Sequence, residues 1–132
     1  MEYAIGAVLG LVVAALAFVV GFDRDWPFYP TVLMVVASYY ILFAVMGASG
    51  EARAIEIAVA SGFSLLAVVG FKRSLWWVAA AMTGHGVFDF FHHWLIQNPA
   101  VPRWWPGFCL GFDAIFGGCI AVRLLKGSPQ TP

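Results

Sequence analysis

The sequence predicts an all-α integral membrane protein, a compact bundle of about five transmembrane helices forming one domain over residues 1–132. Three observations predict it. The chain is 62% hydrophobic and 11% charged, whereas soluble domains are about 45–50% apolar and about 25% charged. Mean hydropathy is +0.88, and a chain this short buries too small a share of its surface to hide such an excess from water. The apolar residues also gather in five runs, each close to the roughly 20 residues that a membrane helix needs.

The first run, residues 3–22, carries no charge. Glu2 precedes it where a cleavable signal peptide would carry basic residues, so the segment reads as a retained helix. Residues 23–30 form a loop whose Trp26, Phe28 and Tyr29 suit the headgroup region. Pro30 is placed to begin the second helix, residues 31–48. Gly47, Ser49 and Gly50 make the next turn, and the third helix covers 51–71, closed by Lys72 and Arg73. Ser74 reads as the N-cap of a fourth helix, 74–97. Asn98 and Pro99 stop it, residues 99–106 form a rigid aromatic loop, and the fifth helix covers 107–125. A short polar tail, 127–132, follows.

Basic residues near the segment ends set orientation. Arg24, Lys72, Arg73, Arg123 and Lys126 fall on one side and Arg53 and Arg103 on the other, which favours N-outside and C-inside. Net charge is zero, so no basic field exists to attract nucleic acid. Cys109 and Cys119 stand roughly 15 Å apart along one helix, beyond the reach of a disulfide.

The chemistry concentrates in the fourth helix, which reads H-G-V-F-D-F-F-H-H from His85 to His93. At 100° per residue Asp89 lies about 40° from His85 and His92 about 20° to the other side. These three share a face through steps of three and four residues, while His93 lies beside the stripe. Asp113 on the fifth helix and Glu56 on the third fall at matching depths, about 10 Å and about 8 Å from the same membrane surface. Charged groups at such depth are costly and must face one another, water or an ion. Tyr39 and Tyr40 add hydroxyls near the same layer, one of them placed to donate to Asp89 or Asp113.

Imidazole and carboxylate in this pattern suit a divalent metal such as zinc or iron. His85, Asp89, His92 and Asp113 are the candidate ligands, with Glu56 and His93 weaker. His85 and His92 are about 10 Å apart along the axis, so the expected set is Asp89 with one histidine, completed by Asp113 and Glu56. A metal-bound water there makes hydrolysis of a lipid-like substrate the enzymatic reading. The alternatives are a proton- or ion-coupled transporter or channel and a structural subunit of a membrane complex, its acids and histidines locking helices together. Haem enters only through a dimer, because all three histidines lie on one helix.

Gly6 with Gly10, and Gly107 with Gly111, follow the small-residue pattern of close helix packing, within the chain or in a homodimer. Gly84 and Gly86 flank His85 and allow a neighbouring backbone to approach it. The expected partners are the lipid bilayer and a hydrophobic or small polar ligand.

The segments F-D-R-D-x-x-F-Y-P-T-V-L at 22–33, H-G-x-x-D-x-x-H at 85–92 and W-W-P-x-F-C at 104–109 resemble a group of small bacterial multi-pass integral membrane proteins. That resemblance spans most of the chain and implies placement in the bacterial inner membrane, with no activity attached. The histidine pattern is also similar in kind to the alkaline ceramidase superfamily of membrane hydrolases. Those use seven helices and an H-x-x-x-H pair with separate Ser, His and Asp positions, and this chain has no H-x-x-x-H.

Overall fold

In the computed structural model, which describes residues 1–127, five long helices account for nearly the whole chain. They are α1 (Glu2–Val20), α2 (Phe28–Gly47), α3 (Gly50–Arg73), α4 (Leu75–Leu95) and α5 (Trp105–Leu125). There is no strand among the described residues. The tail beyond Gly127 lies outside them.

Helix ends follow local chemistry. α1 stops where Gly21 takes a left-handed conformation, φ 92°, and its N–H bonds the Ala17 carbonyl, a geometry that glycine adopts without a Cβ clash. A single 3₁₀ turn, Phe22–Arg24, follows. α2 begins at Phe28, three residues before the expected start, with Pro30 inside the first turn where its missing N–H costs nothing. The Ser74 hydroxyl accepts from the Trp76 N–H at 3.3 Å, so one residue separates α3 from α4. Ser49, expected only as a turn residue, caps α3 in the same way by accepting from Ala52 N–H. α4 ends at Leu95, two residues early, and α5 starts two residues early at Trp105, with Pro106 in its opening turn.

α4 is the hub. It packs against α2, α3 and α5, while α1 packs on α5. Its buried positions Leu75, Val78, Met82, His85, Asp89 and His92 repeat at alternating steps of three and four, the spacing that keeps one stripe on a neighbour. Leu75, Val78 and Met82 join Leu33, Phe116 and Ile120 in the apolar core at one end. The other half of the stripe is polar.

Four helices, α1, α2, α3 and α5, are long and apolar enough to cross a membrane. α4 is long enough but falls short in hydropathy, because its inward stripe spends three positions on His85, Asp89 and His92. The expected fifth crossing therefore rests on the helices around it rather than on its own composition.

α1 and α5 meet through their glycines. A Cβ on Gly6 would land on the Phe108 carbonyl and one on Gly111 on the Tyr3 carbonyl, while Gly10 faces Phe112 and Gly107 faces Tyr3. Both small-residue motifs are thus occupied inside the chain. Gly86 faces Asp113 and Leu110, as expected of a close approach beside His85, but nothing lies near Gly84. The loop at residues 21–27 is held to α3 and α5 by polar contacts that the sequence pattern did not reveal. Trp26, expected at a headgroup, donates its indole N–H to the Phe71 carbonyl at 2.6 Å. Asp23 is buried and lies 2.6 Å from Arg123 Nε at the end of α5. Both cysteines are free, as their spacing required.

Candidate functional site

The candidate residues converge, but in two groups rather than one. In the first, His85 Nδ1 lies 2.7 Å from Asp113 Oδ2 and 3.2 Å from Asp89 Oδ2. α4 supplies His85 and Asp89 one turn apart, and α5 brings Asp113 across because Gly86 lets its backbone come close. All three side chains are buried, and one ligand atom from each lies within 4.8 Å of the others.

In the second group His92 Nε2 lies 2.8 Å from Glu56 Oε1, joining α4 to α3. Asn98 donates its amide N–H to the same Glu56 oxygen at 3.2 Å, and its own side-chain oxygen accepts the Ala100 N–H. Glu56 thus stands in a pair with His92 rather than beside Asp89. His92 is separated from the first group by the seven-residue spacing that keeps it on the same face but two turns along.

Tyr40 sits between the groups. Its ring stacks on His92 with centroids 4.4 Å apart and lies 6.2 Å from the His85 ring. Phe63 closes against His85 edge-on at 4.7 Å, and Phe88 packs against both histidines. Of the two tyrosines expected near the acids, Tyr40 is the one beside Asp89, though its buried hydroxyl makes no hydrogen bond of good geometry, while Tyr39 is exposed and packs its ring on Trp105. His93 is exposed, with its ring 5.9 Å from that of His92.

Several buried polar atoms here have no hydrogen-bond partner. They are both oxygens of Asp89, Oδ1 of Asp113, Oε2 of Glu56, Nδ1 of His92 and the Tyr40 hydroxyl. A buried carboxylate or imidazole left unpaired costs free energy comparable to a lost hydrogen bond or more. All six lie around one stretch of α4, between Asp89 and His92 and the residues that face them from α2, α3 and α5.

Asn98 was not among the expected site residues. The sequence offered it as a helix stop before Pro99, and only the fold carries its amide back to Glu56. No family model, curated protein or solved structure matches this chain.

Proposed function

We propose that this chain is a multi-pass membrane protein that binds a divalent cation, zinc or iron, with His85, Asp89 and Asp113. Its five helices cross the bilayer, N-outside and C-inside, with α4 shielded by its neighbours. The observation that carries the cation is Asp89. Its side chain is fully buried, its Oδ1 has no hydrogen-bond partner, and its Oδ2 lies 3.2 Å from a His85 Nδ1 that already pairs with Asp113 at 2.7 Å.

Charge supports the assignment. With the imidazole neutral and both carboxylates ionised, as ligation requires, the three groups sum to minus two, which a divalent cation cancels, and a net charge in an apolar interior is expensive. The donor types suit zinc or non-haem iron, and ligand bonds of about 2.0–2.2 Å are compatible with donor atoms already within 4.8 Å of one another. Water on such a cation is a nucleophile at neutral pH, so hydrolysis of a lipid-like substrate is the enzymatic form of the proposal.

Elemental analysis of the protein purified in detergent and dialysed against trace zinc or iron tests it. About one equivalent per chain is expected for the wild type and for His92→Ala, whose imidazole belongs to the Glu56 pair. Asp89→Ala and His85→Ala are expected to lose the metal. Wild-type protein without stoichiometric metal removes the proposal.

A second function is favoured by the Glu56–His92 pair, which extends from Asn98 toward Tyr40 and the Asp89 group. A proton relay would use such a line of ionisable groups. It requires that Asp89→Asn abolish pH-driven proton flux in liposomes; flux equal to that of the wild type removes it.

A further inference from the structure

α2 and α5 touch at two levels and part between them. At one level Phe28 and Tyr29 pack their rings on Phe116, and at the other Tyr39 and Phe43 pack on Trp105. The two levels are 11 residues apart on α5, about 16 Å of helix. Between them lies a groove of about 400 Å³, walled by Val32, Val35 and Val36 of α2 and by Phe108 and Phe112 of α5. Its floor reaches Cys109 and Asp113. Asp113 is buried, and its Oδ1 has no partner.

We infer that this groove admits one acyl chain of a single-chain lipid sideways from the bilayer, with the lipid's hydroxyl-bearing end directed to Asp113. The inference rests on the proposed cation site for what that end meets. Three features select this occupant. The walls are apolar apart from Thr31 and Tyr39, and Val35 among them is exposed on the outside of the bundle, where a membrane protein meets hydrocarbon rather than water. Where the groove reaches Asp113 it meets a residue of the cation cluster with an unpartnered carboxylate oxygen, so a ligand with a hydrogen-bond-donating end and an apolar body matches both parts. The space is also too small for a partner helix, which measures about 10–12 Å across with its side chains.

The position of Asp113 gives the lipid a direction. Asp113 contributes one oxygen to His85, leaves the other without a partner, and lines the groove from α5. A hydroxyl arriving along the groove donates to that oxygen without displacing the His85 contact. The aromatic contacts at either end, Phe116 and Trp105, bound the length of chain that fits between α2 and α5.

A monoacylglycerol carrying a diazirine in mid-chain, mixed into liposomes holding the wild-type protein, tests this directly. After photolysis and peptide mapping, label is expected to concentrate on residues 32–39 and 105–113. Val36→Trp fills the groove, and a several-fold loss of that label is expected with metal content unchanged. Label spread evenly over other exposed positions such as Val45, Leu65 and Val87 overturns the groove, and so does undiminished labelling of a folded Val36→Trp protein. The wild-type map decides even if that variant does not fold. Metal content read on the same samples separates the two proposals. Focused label without metal leaves the groove and removes the cation, and metal with even label does the reverse.

Discussion

His85 Nδ1 and Asp113 Oδ2, 28 residues apart in sequence, lie 2.7 Å apart and join α4 to α5 beneath the groove. Removing one partner of a buried ionisable pair leaves the other uncompensated. Asp113→Ala is therefore expected to destabilise the bundle by about 3 kcal/mol, read as a shift in denaturation midpoint in detergent. His85→Ala with Asp113→Ala is expected to cost clearly less than the sum of the single changes, the sign of a coupled pair. Strict additivity would show that the two side chains do not interact.

Glu56 accepts from both His92 and Asn98 on one oxygen. Glutamine keeps a carbonyl there, whereas alanine strands the buried His92 and Asn98. Glu56→Ala is expected to lose about 1–3 kcal/mol of stability, and Glu56→Gln a smaller part of that. Chemical denaturation of the two variants side by side checks the order; equal losses would mean that volume, not hydrogen bonding, holds α3 to α4.

The glycines of α5 separate into filled and open positions. A Cβ on Gly111 meets the Tyr3 backbone, whereas one on Gly118 meets nothing within 4 Å. Gly111→Leu is expected to cost at least about 1–3 kcal/mol and to make α1 susceptible to protease. Gly118→Leu is expected to stay within about 0.5 kcal/mol of the wild type. A neutral Gly111→Leu would remove the proposed contact between α1 and α5.

Orientation is testable with single cysteines in a background where Cys109 and Cys119 are alanine. For N-outside and C-inside, Gln97→Cys reacts with a membrane-impermeant maleimide in intact cells and Ser74→Cys reacts only after lysis. The opposite pattern reverses the topology.

Much of this arrangement was legible in the sequence because it depends on local periodicity. The five apolar runs place the five helices to within three residues at most ends, and the steps of three and four from His85 to Asp89 to His92 put these side chains on one face of α4. What depends on rotation between helices was not legible. Nothing in the spacing says that Asp113 turns toward His85 while Glu56 turns toward His92, which divides the cluster in two. The glycine motifs of α1 and α5 were visible as motifs, but that they meet each other is a property of the fold. Asn98 and the Asp23–Arg123 contact were invisible for the same reason: each is polar, stands near a helix end, and would pass as an interfacial residue.

The packing of α1 on α5 has a consequence for the order of folding. α1 finds its partner in a helix that begins some hundred residues further along the chain, so at about 5–20 residues per second α5 is made roughly 5–20 s after it. His85 and Asp89 also lack Asp113 until then, since the same helix supplies both the partner of α1 and the closing carboxylate. Docking of α5 therefore completes the helix packing and the cluster of His85, Asp89 and Asp113 in one event.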